Sequence, residues 1–357
     1  KTRKVTKILS PGINIDYCEA TDSNWVLSVY IDQIDNDQIF IGVSVCDITL
    51  GCSIVYEVYS NINDKMYSMD EIYRFIQIHN PSEIIININK LNDMTNDEII
   101  NYFEISNTIY HINRDIKPDY INPNYQEQLL NKIYKHDTML NIVEYLQLEH
   151  YQFALNSFIL LINFIYEHDE TIINKLEKPS YWIDDKHLIL TSDSVHQLNL
   201  VADKNLNLKN KNDSLLAILN KTSTPMGKRY LRQQLLNPLL SSEEIEHRYD
   251  NTERMCHHYL EYEDVLKYIP DIERLHRKMA LKKIQPYEFV SLHIAYSQVI
   301  HLCKLLLKDN IDVSVDVQDV LDKIVLYMDE YTYYFNINNM SKSYCSLNIT
   351  NSFFNKG

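Results

Sequence analysis

The chain has 357 residues, 45% of them hydrophobic, which is enough for two domains that each bury a core. Its formal net charge of −15 argues against a protein whose whole surface grips nucleic acid. Six cysteines are scattered at 18, 46, 52, 256, 303 and 345 without a C-x-x-C pair, which makes disulfide staples and a zinc site poor expectations.

Lys1 to Lys7 is basic, and Ser10-Pro11-Gly12 signals a turn. Three strands are predicted next, Trp25 to Ile31, Phe40 to Ile48 and Cys52 to Tyr59, with Asn36-Asp37 and Leu50-Gly51 at the turns of a meander. Met69 to His79 has a helical pattern with Ile72, Phe75 and Ile76 on one face, and Pro81 stops it. Glu83 to Ile88 reads as a buried strand, Asp97 to Phe103 as a helix and Thr108 to Ile112 as a last strand. Residues 1–116 are therefore expected to form a mixed α/β domain, and the prolines of 117–124 a linker.

From Tyr125 onward the rhythm is helical, and Phe153 to Ile165 is apolar nearly all round, hence buried. The most apolar run, Phe153 to Tyr166, is too short to span a bilayer, which takes about 20 residues. No signal peptide opens the sequence, so it reads as soluble and intracellular, without a membrane partner. Tyr181 to Ile189 is expected to pair briefly around a polar turn. Asp271 to Lys283, a helix opened by Pro286, and Val317 to Phe335 complete a mainly helical part over 125–357. The sequence starts on Lys1 and ends on Gly357 without a tail, as a segment of a longer protein would.

The stretch from Asp213 to Arg254 organises this second part. Thr224 is suited to cap a helix, and Pro225 to occupy its first turn, where the missing N–H costs nothing. Met226, Tyr230, Leu231 and Leu235 share one face, and Asn237-Pro238 ends the helix. Ser241 and Glu244 offer a capping box for the next one. Gly227 costs a helix about 1 kcal/mol against alanine, which suggests close approach of another backbone.

The same residues carry a resemblance. SLL-x-I-L-x-x-T-x-TPMG-x-R-x-L, L-x-NPL and I-x-x-R-x-x-x-x-E resemble the core (lever) domain of the MutS family of DNA mismatch-recognition proteins. Leu198, Leu200, Leu206 and Leu208 extend the likeness upstream, and Ile269 to Leu275 extends it downstream. The phrase Val5 to Gly12 is similar to the one that precedes the family's connector domain. The resemblance implies an α/β ribonuclease-H-like connector domain followed by a mainly α-helical lever (core) domain that stops near the clamp insertion. It gives Thr224, Pro225, Met226, Gly227, Arg229, Leu231, Pro238 and Arg248 a structural, coupling role, with no catalytic, cofactor or metal residue in the chain. The longer protein it implies binds mismatched double-stranded DNA, dimerises with a like or related subunit, and uses ATP and Mg in a domain outside this chain. The bias toward Ile, Asn and Tyr suits a giant-virus or organellar member.

Other chemistries fare worse. A family relative acting in recombination is the alternative that the sequence leaves open, and a ribonuclease-H-like nuclease is the disfavoured one. Asp32 at the end of the first strand and Asp47 on its neighbour do not make a two-metal cluster. The one Gly-Lys pair, Gly227-Lys228, is followed by Arg229 and lacks the earlier glycine of a phosphate loop. Cys256-His257-His258 points in three directions on a helix. The basic clusters Lys1–Lys4, Lys204–Lys211, Lys228-Arg229-Arg232 and Arg277–Lys283 are short, as on solvated helix faces.

Overall fold

The structure is a computed structural model that describes residues 8–14, 23–34, 38–61, 63–92, 94–135, 137–182, 186–188, 190–201, 214–313, 315–341, 353 and 355. The chain divides into two compact units, 1–185 with 190–209, and 186–189 with 210–357. The first is a mixed α/β unit and the second is helical.

The first unit is built on six strands: β1 (Trp25–Ile34), β2 (Gln38–Asp47), β3 (Cys52–Tyr59), β4 (Glu83–Lys90), β5 (Ile109–Asn113) and the two-residue β6 (Ser180–Tyr181). They lie in the order β5-β4-β1-β2-β3-β6. β1, β2 and β3 form the predicted antiparallel meander, whereas β4 and β5 add in parallel beside β1. Parallel addition requires crossovers, supplied by the helices Tyr67–His79 and Asn96–Tyr102. Thr95 caps the second of these in a reciprocal box with Glu98.

The central strands β1, β2 and β4 are largely buried on both faces, so they read as apolar runs. Leu27, Val29, Ile31, Ile41, Val43 and Val45 pack with Met69, Ile72, Phe75, Ile99 and Phe103 of the two crossover helices. The alternate side chains face the helix Gln152–His168. Ser157 Oγ donates to Ser28 O at 2.8 Å and lies 2.9 Å from Ser44 Oγ, and Phe153 stacks on Phe40 at 5.0 Å. Gly42 makes this fit: a Cβ there would lie 1.9 Å from the carbonyl oxygen of Phe153. Glu57 on β3 receives the backbone N–H groups of Phe153 and Ala154 at 2.8 and 3.1 Å, capping the same helix.

Two expectations change here. Residues 117–124 do not part the units: they hold the helix Pro118–Ile121 and the start of Pro123–Ile133, and the first unit runs on to 185. Helical rhythm groups Gln152–His168 with the later helices, but its all-round burial is against the sheet. The brief pairing expected over Tyr181 to Ile189 falls, among the described residues, in two places. Ser180 and Tyr181 pair with Ile54 and Val55 in the first unit, and His187 bridges Leu239 in the second; Ile183 and Ile189 lie outside the described residues.

In the second unit Leu292, Tyr296 and Tyr331 form a buried centre, with Ile272, Leu275, Met279, Phe289 and Phe335 around it. These come from the helices Ile272–Ala280, Pro286–Lys308 and Val317–Tyr334, the last with its C-cap Phe335, close to the predicted segments. Lys282, in the left-handed region at φ 58°, ends the first of them earlier than Lys283. Among the described residues, only the helix Pro286–Lys308 is long and apolar enough by length and composition to cross a bilayer. Leu292, Ala295, Tyr296, Cys303 and Leu305 on it are buried within the protein.

Candidate functional site

The signature stretch folds as a capped helix tied to two other segments of its unit. Thr224 Oγ1 accepts from Gly227 N at 3.0 Å, Pro225 occupies the first turn, and the helix runs from Pro225 to Leu236. This is local chemistry, and the sequence predicts it. The expected buried stripe is weaker than the pattern suggests. Met226, Leu231 and Leu235 are half-buried, Tyr230 is exposed, and Leu236 is the buried residue. Pro238 ends the helix and does more: its carbonyl accepts from Leu188 N at 2.8 Å, and Leu240 N donates to Lys186 O at 3.1 Å. Ser241 then caps the helix Ser242–Cys256 through Glu244 N at 3.3 Å.

Among the described residues, side chains and not another backbone segment lie nearest to Gly227. Among the described atoms a Cβ there would meet Thr224 Oγ1 at 3.0 Å and the Thr222 side chain at 3.5 Å. The glycine makes room for its own cap.

Arg229 is the centre of the site. Its guanidinium donates both arms to Asp271, at 2.6 and 2.9 Å, and a further bond to Glu273 at 2.5 Å. The Arg229 side chain is 9% exposed and that of Asp271 13%, so the fork works largely out of water. Burial opposes the charge, but the two carboxylates outweigh it and hold the guanidinium above its ordinary pKa. Asp271 also accepts from Arg274 N at 3.4 Å, capping the helix Ile272–Ala280. One carboxylate thus ends one helix and holds another. Sequence reading passes over this role of Asp271 and Glu273, although an aspartate directly before a helix is a cap signal.

Arg248 is placed apart from this fork, donating to Gln234 Oε1 across the turn between the two signature helices. The helix that carries it is tied elsewhere: Asn251 donates to Asp312 O at 2.7 Å and Arg254 to Asn310 O at 2.9 Å. Both arginines bond to residues of the second unit.

The remaining candidates resolve simply. Asp47 is buried and caps the β2–β3 turn through Thr49 N at 2.9 Å and Thr49 Oγ1 at 2.6 Å. Trp25 pairs with Asp47 and Phe40 with Asp32, so the two aspartates are seven steps apart along β1, roughly 23 Å. Across the middle of the sheet, where a nuclease would place carboxylates, runs a neutral ladder: Asn113 donates to Asn87 and Asn87 to Ser28. Among the described residues no three His, Cys, Asp or Glu side chains could hold a metal ion. His258 lies 3.3 Å from Glu261, on a solvated face with exposed Cys256. Arg277 is buried and Lys278 pairs with Glu288 at 2.5 Å; Lys1–Lys4 and Lys204–Lys211 lie outside the described residues.

The sequence profile of MutS domain III matches residues 193–339, which include both signature helices and the Arg229 fork. Over 99% of its length the chain is 31% identical to a putative DNA mismatch repair protein mutS homolog of Acanthamoeba polyphaga mimivirus. Over 90% it is 29% identical to the DNA mismatch repair protein MutS of Caldanaerobacter subterraneus subsp. tengcongensis. The chain belongs to the MutS family. It spans about a third of these relatives, 34% of the viral protein and 36% of the bacterial one. The MutS domain III match begins just past the end of the sheet, in accord with a mixed α/β unit followed by helices.

Proposed function

We propose that this chain is the mechanical middle of a MutS-like mismatch repair protein. Its first unit serves as a ribonuclease-H-like connector and its second as the beginning of the lever. The strand order, with an antiparallel β1-β2-β3 meander and β4 and β5 added in parallel beside β1, supports the connector reading. The longer protein would dimerise, hold mismatched duplex DNA, and bind ATP and Mg in a domain outside this chain. Thr224, Pro225, Met226, Gly227, Leu231 and Pro238 would shape the signature helix, and Arg248 would brace its turn.

The observation that carries the proposal is the Arg229–Asp271 fork inside the MutS domain III segment. A lever transmits motion only if its helices move as one body, and a desolvated bidentate pair is a rigid fastening. Arg229→Ala in the full-length protein should weaken ATP-triggered release of mismatched DNA by about tenfold. ATP binding and DNA binding, each measured alone, should change by less than about threefold. Equal loss in all three measurements would reduce the fork to a folding contact, and unchanged release would remove it from the mechanism.

A further inference from the structure

The basic run Arg277–Lys283 divides into two parts in the folded chain. Arg277 is buried and Lys278 pairs with Glu288, whereas Lys282 and Lys283 line a cavity of about 470 Å³ within the second unit. Small-molecule sites usually have volumes of about 300–1,000 Å³.

Local chemistry builds the walls. Lys282 takes the left-handed conformation at φ 58° and ends the helix Ile272–Ala280. Lys283 N donates to Lys278 O at 2.8 Å and Gln285 N to Glu288 Oε2 at 2.9 Å, which fixes the turn before Pro286 opens the next helix. Phe289, Tyr327, Tyr331 and Phe335 supply aromatic surface. Tyr331 meets Phe289 edge-on at 5.3 Å and Tyr327 at 5.2 Å, so these rings brace one another. Met279 and Met340 add polarisable side chains that suit contact with a ring. Phe353 is held in place as well, its carbonyl accepting from Asn336 N at 2.6 Å.

Charge then selects the ligand. Lys282 and Lys283 are the only charged residues in the lining among the described residues. Glu288, the acid beside the turn, already holds Lys278 and the amide of Gln285. Asp329 and Glu330, on the same helix as Tyr327 and Tyr331, do not line the cavity. From Tyr331 to Gly357 the sequence contains no Asp or Glu at all. An aromatic interior with two ammonium groups and no carboxylate complements an aromatic body that carries negative charge.

We propose that this cavity binds a small anionic aromatic molecule, with its rings among Phe289, Tyr327 and the two methionines and its charge toward Lys282 and Lys283. The helices Ile272–Ala280, Pro286–Lys308 and Val317–Tyr334 all contribute to the lining, so an occupant ties the three together.

A matched pair of fluorescent probes tests both halves of the proposal. Anilinonaphthalene sulfonate is aromatic and anionic, and phenylnaphthylamine has the same rings without the sulfonate. The sulfonate should saturate one site with a Kd of roughly 10–100 µM, as ordinary ligand efficiency gives a molecule of about 20 non-hydrogen atoms. The site should be present in this chain and in the full-length protein alike. In NMR of the chain with methyl-labelled methionine, Met279 and Met340 should shift with the same saturation, and Met66, Met69, Met94 and Met139 of the first unit should not. Lys282→Asn combined with Lys283→Gln keeps a residue that tolerates the left-handed turn and removes both charges. It should weaken the sulfonate about fivefold or more and the uncharged amine less than about twofold. Should that variant not fold by circular dichroism, salt decides on the wild type. Raising it from about 0.05 to 0.5 M should weaken the sulfonate about threefold and leave the amine no weaker, and an equal response of the two probes overturns the charge assignment. Shifts of the first-unit methionines at the same concentrations, or unchanged sulfonate binding in the folded double variant, would overturn the proposal. So would a site found in the chain but lost in the full-length protein, where other parts of the polypeptide would then fill the cavity.

Discussion

Arg229 and Gly227 lie two residues apart in the signature helix, yet they differ in how much of their role the sequence reveals. The cap at Thr224 and the proline at 225 follow from chemistry within one helical turn, and so they are legible. The partner of Arg229 is 42 residues away, and no periodicity encodes that pairing. For Gly227 the inference of a close approach holds in kind but not in partner, since the neighbouring atoms belong to Thr222 and Thr224. The expected costs change accordingly. Gly227→Ala gains helix propensity of about 1 kcal/mol and must press a Cβ on the cap hydroxyl, so its net effect should be within about 1 kcal/mol. Gly227→Leu should cost no more than about 1–2 kcal/mol, since among the described residues the nearest atoms to an added Cβ are the Thr224 and Thr222 side chains. Arg229→Ala should cost more, about 2–4 kcal/mol, because it takes the bidentate partner from the largely buried Asp271 carboxylate and leaves it only the longer Arg274 pair at 3.5 Å. Urea unfolding of the three variants checks the order. A Gly227→Leu loss exceeding that of Arg229→Ala would restore the close-approach reading.

At the scale of elements, strands and helices were mostly legible, and the surface each buries was less so. An all-apolar helix declares burial but not its partner. Gln152–His168 meets β1 through the Ser157–Ser28 bond, 129 residues apart in sequence. Gly42 is the backbone condition for that packing. Gly42→Ala should cost about 3 kcal/mol or more, since the atom it would strike is main chain and cannot rotate away. Glu57 at the same junction gives a pH test. Burial raises its pKa above the ordinary carboxylate value, and the N–H groups of Ala154 and Phe153 only partly offset this. The protonated acid is thus the form that the fold favours. Its contribution is fully present below the unfolded pKa and is lost as pH rises through the folded one. Glu57→Gln keeps an oxygen for the two N–H groups and cannot ionise. It should unfold no more easily than wild type at pH 7, and its stability should fall less between pH 4 and 7. A loss above about 1 kcal/mol at pH 7 would show that the carboxylate charge, acting on the helix terminus, outweighs burial.

For the whole molecule the decisive quantity is where the cations go. A net charge of −15 does not forbid a local DNA footprint, and the basic clusters Lys228-Arg229-Arg232 and Arg277–Lys283 offer one in the sequence. In the folded chain that footprint is largely spent: Arg229 is in its fork, Arg277 is buried and Lys278 is on Glu288. Sequence could not reveal this, because a basic run looks the same whether it faces solvent or a carboxylate brought in from elsewhere. The chain should therefore bind duplex DNA weakly, with a Kd of roughly 10 µM or weaker at 150 mM salt. It should also show no preference for a mismatch. Each phosphate contact contributes about −0.9 to the slope of log K against log salt, so a footprint of two or three contacts should give a slope no steeper than about −3. Titration of matched and mismatched duplexes by fluorescence anisotropy at four salt concentrations gives both numbers. A slope near −6 would mean that a larger basic surface than two or three contacts meets the DNA. A mismatch preference of tenfold or more that survives the highest salt would place mismatch reading within this chain, and the division of labour proposed for connector and lever would have to be abandoned.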